Sequence, residues 1–205
     1  VDDFGIGLML QQKQVKKRTS LQLDVVPLLM KIEELIANIE NAKRDILAGV
    51  AGEAFIISND VLSAVINRIQ SRGVSASGDA FRPYSTNEVS VSYFAGRVLR
   101  ADRFKQLQKK GTASYKEFRE NQGLQTDYKD FTFSGQMFGQ TGVSIRYSNG
   151  NAIATIQGQT PYAVNTYRSI YREQGYELLK LSKEELQLSE SRFYTWMAKI
   201  LNKYK

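Results

Sequence analysis

The chain has 205 residues, carries a net charge of +7 and contains neither cysteine nor histidine. The absence of cysteine excludes disulfide scaffolds, zinc–thiolate sites and thiol catalysis. The absence of histidine removes the commonest general base and the commonest metal ligand, so we expect no enzyme, no metal site and no cofactor. Hydrophobic residues make up 42% of the sequence, which is enough to build a folded core.

The basic charge permits contact with nucleic acid or with an acidic protein surface. It is spread along the chain, which favours a solvated basic surface. The densest clusters are Lys13–Arg18, Lys109-Lys110 and Lys199–Lys205.

No uninterrupted run of 18 apolar residues is present, because Glu53 and Asp60 break the most apolar region, Ile46–Ile66. The sequence therefore predicts no membrane contact. Residues 1–4 lack the basic and apolar regions of a signal peptide, so we expect synthesis in the cytoplasm without secretion.

Residues 1–20 form a predicted N-terminal arm, and residues 21–205 a predicted single domain. Within the arm a short apolar run, Ile6–Leu10, precedes the polar stretch Gln11–Arg18. Such a segment has little to bury by itself. It is either an arm that orders against another protein or a frayed terminus.

Residues 24–48 carry the clearest helical pattern, with Asp24 as the predicted cap. The pattern fits either a coiled-coil seam or a helix lying on the core of its own domain, and we favour the second. After Gly49 and Gly52 a second helix is predicted from Ser58 to Arg72, forming a hairpin or one bent helix with the first. The apolar residues recur at steps of three and four: Val25, Leu28, Ile32, Leu35, Ile39, Ala42 and Ile46.

The middle of the chain predicts shorter elements. Residues 74–88 have the composition of a loop, and alternation at Val89, Val91 and Tyr93 predicts a short strand. Two short helices follow over residues 103–110 and 114–120, separated by Gly111.

A β-hairpin is predicted over residues 143–156, because Asn149-Gly150 separates two alternating runs. Pro161 begins a helix that ends near Gln174, before Gly175. Ser182 and Glu185 form a capping box for a closing helix that reaches about Tyr204. Its predicted buried residues are Leu186, Phe193, Trp196, Met197 and Ile200.

Two features of the sequence have both a functional and a structural interpretation. Asp127 and Asp130 could hold a divalent cation, but two carboxylates without a third make a weak site. Arg168 and Arg172 lie four residues apart on one helix face, as do Tyr167 and Tyr171. These side chains could stack on bases and hold phosphates, although a core or interface role is favoured.

A block of weak motifs in a fixed order carries a family resemblance. A Tyr/Arg-bearing segment leads to an aspartate, then to alternating apolar and Ser/Thr positions, then to Gly-x-Met, before the hairpin and the closing helix. Across Tyr115–Lys205 the sequence resembles the head–tail connector, tail-completion or neck proteins of tailed-phage virions. The positions that match are Tyr115, Arg119, Asp130, Ser134, Gly135 and Met137.

The resemblance implies an α+β fold, in which a small antiparallel β-sheet packs against long N-terminal helices and a C-terminal helix, with an extended N-terminal arm. It gives no catalytic residue. The helix after the hairpin would pack on the sheet through Tyr162, Val164, Tyr167 and Ile170–Tyr171.

The function that the resemblance implies is structural. The chain would be a virion protein of the phage neck, made in the host cytoplasm. Several copies would form a ring that joins portal or adaptor protein to tail proteins, around a channel where packaged DNA passes. The alternative is a basic nucleic-acid-binding protein that uses the helix bearing Arg168 and Arg172.

Overall fold

A computed structural model describes the backbone of residues 4–132, 134–149 and 151–204, and the side chains of these residues from Leu29 onward. The fold is α+β, as predicted. The helices are α1 (Phe4–Asn67), α2 (Ala101–Lys110), α3 (Tyr115–Asn121), α4 (Gln136–Gly139), α5 (Pro161–Gln174) and α6 (Lys183–Leu201). The strands are β1 (Glu88–Ser90), β2 (Thr112–Ser114), β3 (Thr141–Ser148) and β4 (Asn151–Gly158).

Helix α1 is continuous, whereas the sequence allowed either a helical hairpin or one bent helix. The predicted start at Asp24 is wrong, because α1 begins at Phe4. The residues before Asp24, Leu21–Leu23, are leucines and a glutamine, which favour helix and give no stop signal. A π-helical turn, Arg68–Arg72, follows, and Gly73 ends it in the left-handed conformation, as predicted.

The chain divides into two compact units, residues 50–195 and residues 1–49 with 196–205. The predicted arm, residues 1–20, has its side chains outside the described part of the chain, so its role stays a prediction.

Two apolar clusters hold the unit of residues 50–195 together. The first joins the later turns of α1 to α4 and α5, and its buried members are Ile57, Val61, Val65, Ile69, Phe81, Met137, Phe138, Ile170 and Leu178. The second lies around α2 and α3, and its buried members are Val91, Phe94, Phe104, Leu107, Ala113 and Phe118. Within it the Phe94 and Phe118 rings stack with centroids 4.5 Å apart.

The predicted hairpin is confirmed as the antiparallel pair β3–β4, with Val143 opposite Ile156. Asn149 takes the left-handed conformation at its tip, with a φ of 52°. The partly buried Ile156 of β4 packs against the first cluster.

A second two-stranded sheet, β1–β2, pairs Val89 with Ala113. The strand predicted through Val91 and Tyr93 is therefore wrong beyond Ser90, because residues 91–97 form a 3₁₀ segment. Buried Phe94 does not fit the two-residue alternation on which that prediction rested.

The ends of α5 and α6 follow their predicted signals. Thr160 caps α5 by accepting a hydrogen bond from the Ala163 N–H, and Gly175 ends the helix. The capping box of α6 is present: the Ser182 N–H donates to Glu185 Oε2 at 2.7 Å, and the Glu185 N–H donates to Ser182 Oγ at 3.2 Å.

The predicted buried face of α6 is correct only in part. Ile200 is buried and Met197 is half-buried, but Leu186 and Phe193 are exposed. Buried Glu185 sets the inward face near the start of the helix. Leu188, three residues further on, therefore packs against the first cluster in place of Leu186.

The unit of residues 1–49 and 196–205 joins α1 to the end of the chain. The Tyr204 hydroxyl donates to Asp45 Oδ2 at 2.9 Å, and this bond lowers the pKa of the Asp45 carboxyl. The Trp196 ring lies against Gly49, where an added Cβ would come within 3.0 Å of it.

One stretch, Leu29–Arg72, is long and apolar enough to cross a membrane by length and composition alone. Core helices of soluble proteins pass the same criteria, and 22% of its most apolar window is buried.

Candidate functional site

Arg119 is the largest fully buried side chain among the described residues, with 1% of its surface exposed. It sits on α3, where Ser114 caps the helix by accepting from the Glu117 N–H. Its Nη2 donates to both carboxylate oxygens of Asp130, at 3.0 and 3.1 Å. Its Nε and Nη1 donate to the carbonyls of Gln125 and Thr132, at 3.1 and 2.5 Å. Arg119 thus ties α3 to both ends of the following loop, residues 125–132.

Asp130 and Tyr84 complete this network. The Tyr84 hydroxyl donates to Asp130 Oδ1 at 2.7 Å, and the Thr132 N–H donates to the same oxygen at 2.9 Å. The Arg119 guanidinium lies over the Tyr84 ring, 4.2 Å from its centroid. Burial, followed by the hydrogen bond to Asp130, raises the pKa of Tyr84 far above its usual value. Tyr84 therefore stays a neutral donor, and the network is satisfied without solvent.

An open cavity of about 560 Å³ lies beside this network. Its walls combine aromatic rings with polar groups and three cations, of which Arg119 is neutralised by Asp130. The lining residues that matter here are Tyr84, Tyr93, Phe94, Arg97, Tyr115, Arg119, Lys129, Phe131 and Gln174.

The other two cations in the cavity have no ion-pair partner among the described residues. Arg97 lies over the Tyr93 ring, 5.2 Å from its centroid. Lys129 donates to Gln174 Oε1 at 2.9 Å. Burial, and then the charge of Arg82, lower the pKa of Lys129. This arrangement can bind an anionic or aromatic group.

Asp127 and Asp130, the two carboxylates considered for a cation, lie in different environments. Asp130 is bound to Arg119, whereas Asp127 is exposed. Among the described residues no group of three or more carboxylates could hold a metal ion. The pattern of the sequence could not separate a carboxylate held by arginine from one free for a cation.

The helix α5 divides its tyrosines and arginines between the core and solvent. Tyr167 packs against the first cluster, and its hydroxyl lies 2.6 Å from Thr141 Oγ1. Tyr162, Tyr171, Arg168 and Arg172 are exposed.

The packing role expected for α5 is therefore confirmed at three residues and wrong at two. Tyr167 is joined by half-buried Val164 and buried Ile170, whereas Tyr162 and Tyr171 face away from the core. The period of 3.6 residues per turn places only one side of α5 on the hairpin.

The six positions that carry the family resemblance lie in α3, in the loop that follows it and in α4. Tyr115 lines the cavity and packs edge-on against Tyr84, and Arg119 pairs with Asp130. Gly135 is left-handed at the start of α4, and Met137 is buried in the first cluster. The sequence motif contains these residues only as an ordered series, and the structure adds the pairing of Arg119 with Asp130 across the loop.

Two of the predicted basic clusters are partly neutralised. Lys110 bonds to Glu117 at 2.8 Å, which raises the pKa of Lys110. Lys203 lies 3.4 Å from Asp45. The cluster Lys13–Arg18 lies outside the described side chains.

A search with protein-family models, one of curated proteins and one of solved structures each gave no significant match to this chain.

Proposed function

We propose that the chain is a structural protein of a tailed-phage virion, located at the head–tail junction. Several copies form a ring that joins the portal or adaptor protein to tail proteins, with the DNA channel at its centre.

The proposal is supported by the placement of the six matching positions, which all lie within the unit of residues 50–195. The Arg119–Asp130 pair fixes the loop between α3 and α4, and β3, β4 and α5 follow it in the order that the resemblance implies. In the site, Arg119 donates hydrogen bonds to the backbone carbonyls of Gln125 and Thr132, which is a structural role.

The test is quantitative peptide mass spectrometry on particles purified from a culture that produces the phage or prophage encoding the chain. We expect a copy number per particle close to that of the portal protein, because both would form rings on one axis. The soluble fraction of the lysate, in which little of the chain should remain, is the control. Absence of the chain from purified particles would refute the virion role.

The exposed side chains of α5 favour one second candidate, a protein that binds nucleic acid without sequence preference. Arg168 and Arg172 share a solvent-facing surface with Tyr171, which combines phosphate-binding and stacking groups.

Under this alternative the double variant Arg168→Ala/Arg172→Ala loses two phosphate contacts. The slope of log affinity against log salt concentration should then fall by about two in fluorescence anisotropy with labelled duplex DNA. Arg100→Ala/Arg103→Ala, at two exposed arginines near the start of α2, removes the same number of charges and is the matched control. Equal effects of the two double variants would leave only diffuse attraction and argue against a site on α5.

A further inference from the structure

Helix α1 exposes a row of large aliphatic side chains between residues 29 and 39. Each member has between 44% and 59% of its surface accessible: Leu29, Ile32, Leu35, Ile36 and Ile39. A contiguous apolar surface of this kind marks a site of interaction. The helix does not lie on its own core here, so the interpretation that the sequence favoured is wrong for this segment. The later turns of α1, from Ile57 to Val65, do pack in the first cluster.

The spacing of the row is that of a coiled coil. Ile32, Ile39 and Ile46 recur every seven residues, and Leu35 and Ala42 lie between them at alternating steps of three and four. We call residues 32, 35 and 39 the open seam, with isoleucine at the a positions and leucine at the d position. A strict seven-residue repeat matches a partner helix better than it matches the surface of a globular core.

The same seam is already covered further along, within the unit of residues 1–49 and 196–205. Ala42 is buried, and the Trp196 ring lies against Gly49, the next d position. Small residues at these two d positions admit the C-terminal segment of the same chain. At Leu35 the d residue is large and exposed. The open seam is therefore the continuation of a seam that is buried at Ala42 and contacted by Trp196 at Gly49.

The charges on this part of the helix argue against a lipid partner. Residues 29–45 contain four acidic and three basic side chains, which no bilayer core accommodates. A helix that lies in the membrane surface has a polar face rich in lysine and arginine, whereas residues 29–45 carry a net charge of −1. A protein helix with its own apolar seam is the better partner.

We propose that the open seam of α1 packs in parallel, and in register, against the open seam of a second copy of this chain. Within parallel coiled coils, isoleucine at a with leucine at d favours two strands. In that register Lys31, at a g position, faces Ile36, at an e position of the other copy, so no like charges oppose each other. Packing of one seam on the same seam of a second copy is isologous, so the contact closes with two copies.

The inference goes beyond the proposed function, because a contact that closes with two copies pairs subunits and does not by itself build the ring. The two can fail separately. Purified chain that self-associates through α1 but is absent from particles would remove only the virion role. Chain present in particles but monomeric in solution would remove only this contact.

Sedimentation velocity of the purified 205-residue chain, over concentrations from about 1 to 100 μM, gives the first test. We expect reversible self-association that Leu35→Asp weakens at least ~100-fold, because it buries an unpaired charge in the seam. Met30→Asp is the matched control. Met30 is an equally apolar neighbour, 65% exposed, and lies at the outer f position. A monomeric wild-type chain, or equal effects of the two substitutions, would overturn the proposal.

Because the natural chain has no cysteine, a single introduced thiol reports the register. Mild oxidation of Leu35→Cys should give a disulfide-linked dimer, since identical d residues face each other in a parallel pair. Glu33→Cys, on the outer face, should give little. A dimer from Glu33→Cys but not from Leu35→Cys would overturn the parallel seam, even if Leu35→Asp failed to fold.

Vesicle flotation tests whether the open seam binds a lipid surface instead of a second copy of the chain. We expect the wild-type chain to stay unbound with vesicles of phosphatidylcholine, with or without phosphatidylserine. Flotation that Leu35→Asp abolishes and Met30→Asp preserves would assign the open seam to a lipid surface and overturn the proposal. Circular dichroism of each variant confirms that helix content is retained.

Discussion

Replacing Arg119 by methionine is expected to cost about 3–5 kcal/mol of the free energy of unfolding. The substitution keeps most of the buried volume but leaves the Asp130 carboxylate in a buried position without its guanidinium. The carbonyls of Gln125 and Thr132 lose their donors in the same step. Because a domain is stable by only about 5–15 kcal/mol, urea denaturation should show a large fall in the midpoint.

The matched control is Arg72→Met. Arg72 pairs with Glu184 at 3.2 Å, but both side chains are more than half exposed, so its loss should cost less than about 1 kcal/mol. Adding Asp130→Asn to Arg119→Met removes the stranded charge while keeping an acceptor for Tyr84. The double variant should therefore lose less than the sum of the single losses. Equal costs for Arg119→Met and Arg72→Met would show that the buried pair does not hold the loop.

The elements that sequence predicts best are those that a few adjacent residues determine. Asn149-Gly150 fixes the hairpin, Gly175 stops α5, and Ser182 with Glu185 starts α6. In each case the backbone conformation or the hydrogen bond is satisfied within a few residues. These local preferences agree with the tertiary contacts, so the predictions are confirmed.

The contacts of the candidate site could not be predicted from the sequence, because they depend on the path of the loop between α3 and α4. Arg119 and Asp130 are eleven positions apart, and Tyr84 comes from another segment, 46 positions before Asp130. The non-glycine residue Phe131 also takes a left-handed conformation, with a φ of 52°, and its ring packs 4.9 Å from that of Phe81. Hydrophobic periodicity shows on which face of its own helix or strand a residue lies, but not which distant residue it contacts.

Helix α1 shows the same limit in another form. Its apolar period predicts a helix with one apolar face, but the period is shared by a face on a core and a face on a partner. The later turns are buried against α4 and α5, whereas residues 29–39 are exposed. Only the three-dimensional placement of the remaining elements separates these two uses of one pattern.

Gly73→Ala is expected to destabilise the fold by about 3 kcal/mol or more, measured by thermal and urea denaturation. Gly73 has a φ of +64°, and a left-handed alanine alone costs about 1–2 kcal/mol. An added Cβ would also lie 2.2 Å from Tyr128 Cδ2 and 2.3 Å from its Cγ. These atoms are at the base of the ring, so Tyr128 must move as a whole. Its hydrogen bond to the Gln70 carbonyl, 2.8 Å long, is then lost.

Gly78→Ala separates the two costs, because Gly78 is also left-handed, with a φ of +90°, but has no atom within 4 Å of its added Cβ. We expect it to cost only the backbone contribution, about 1–2 kcal/mol. In a Tyr128→Ala background, Gly73→Ala should cost no more than Gly78→Ala, because the ring that it strikes is gone. If Gly73→Ala is as costly without the ring as with it, backbone conformation and not the Tyr128 contact makes glycine necessary at the end of the π-helical turn.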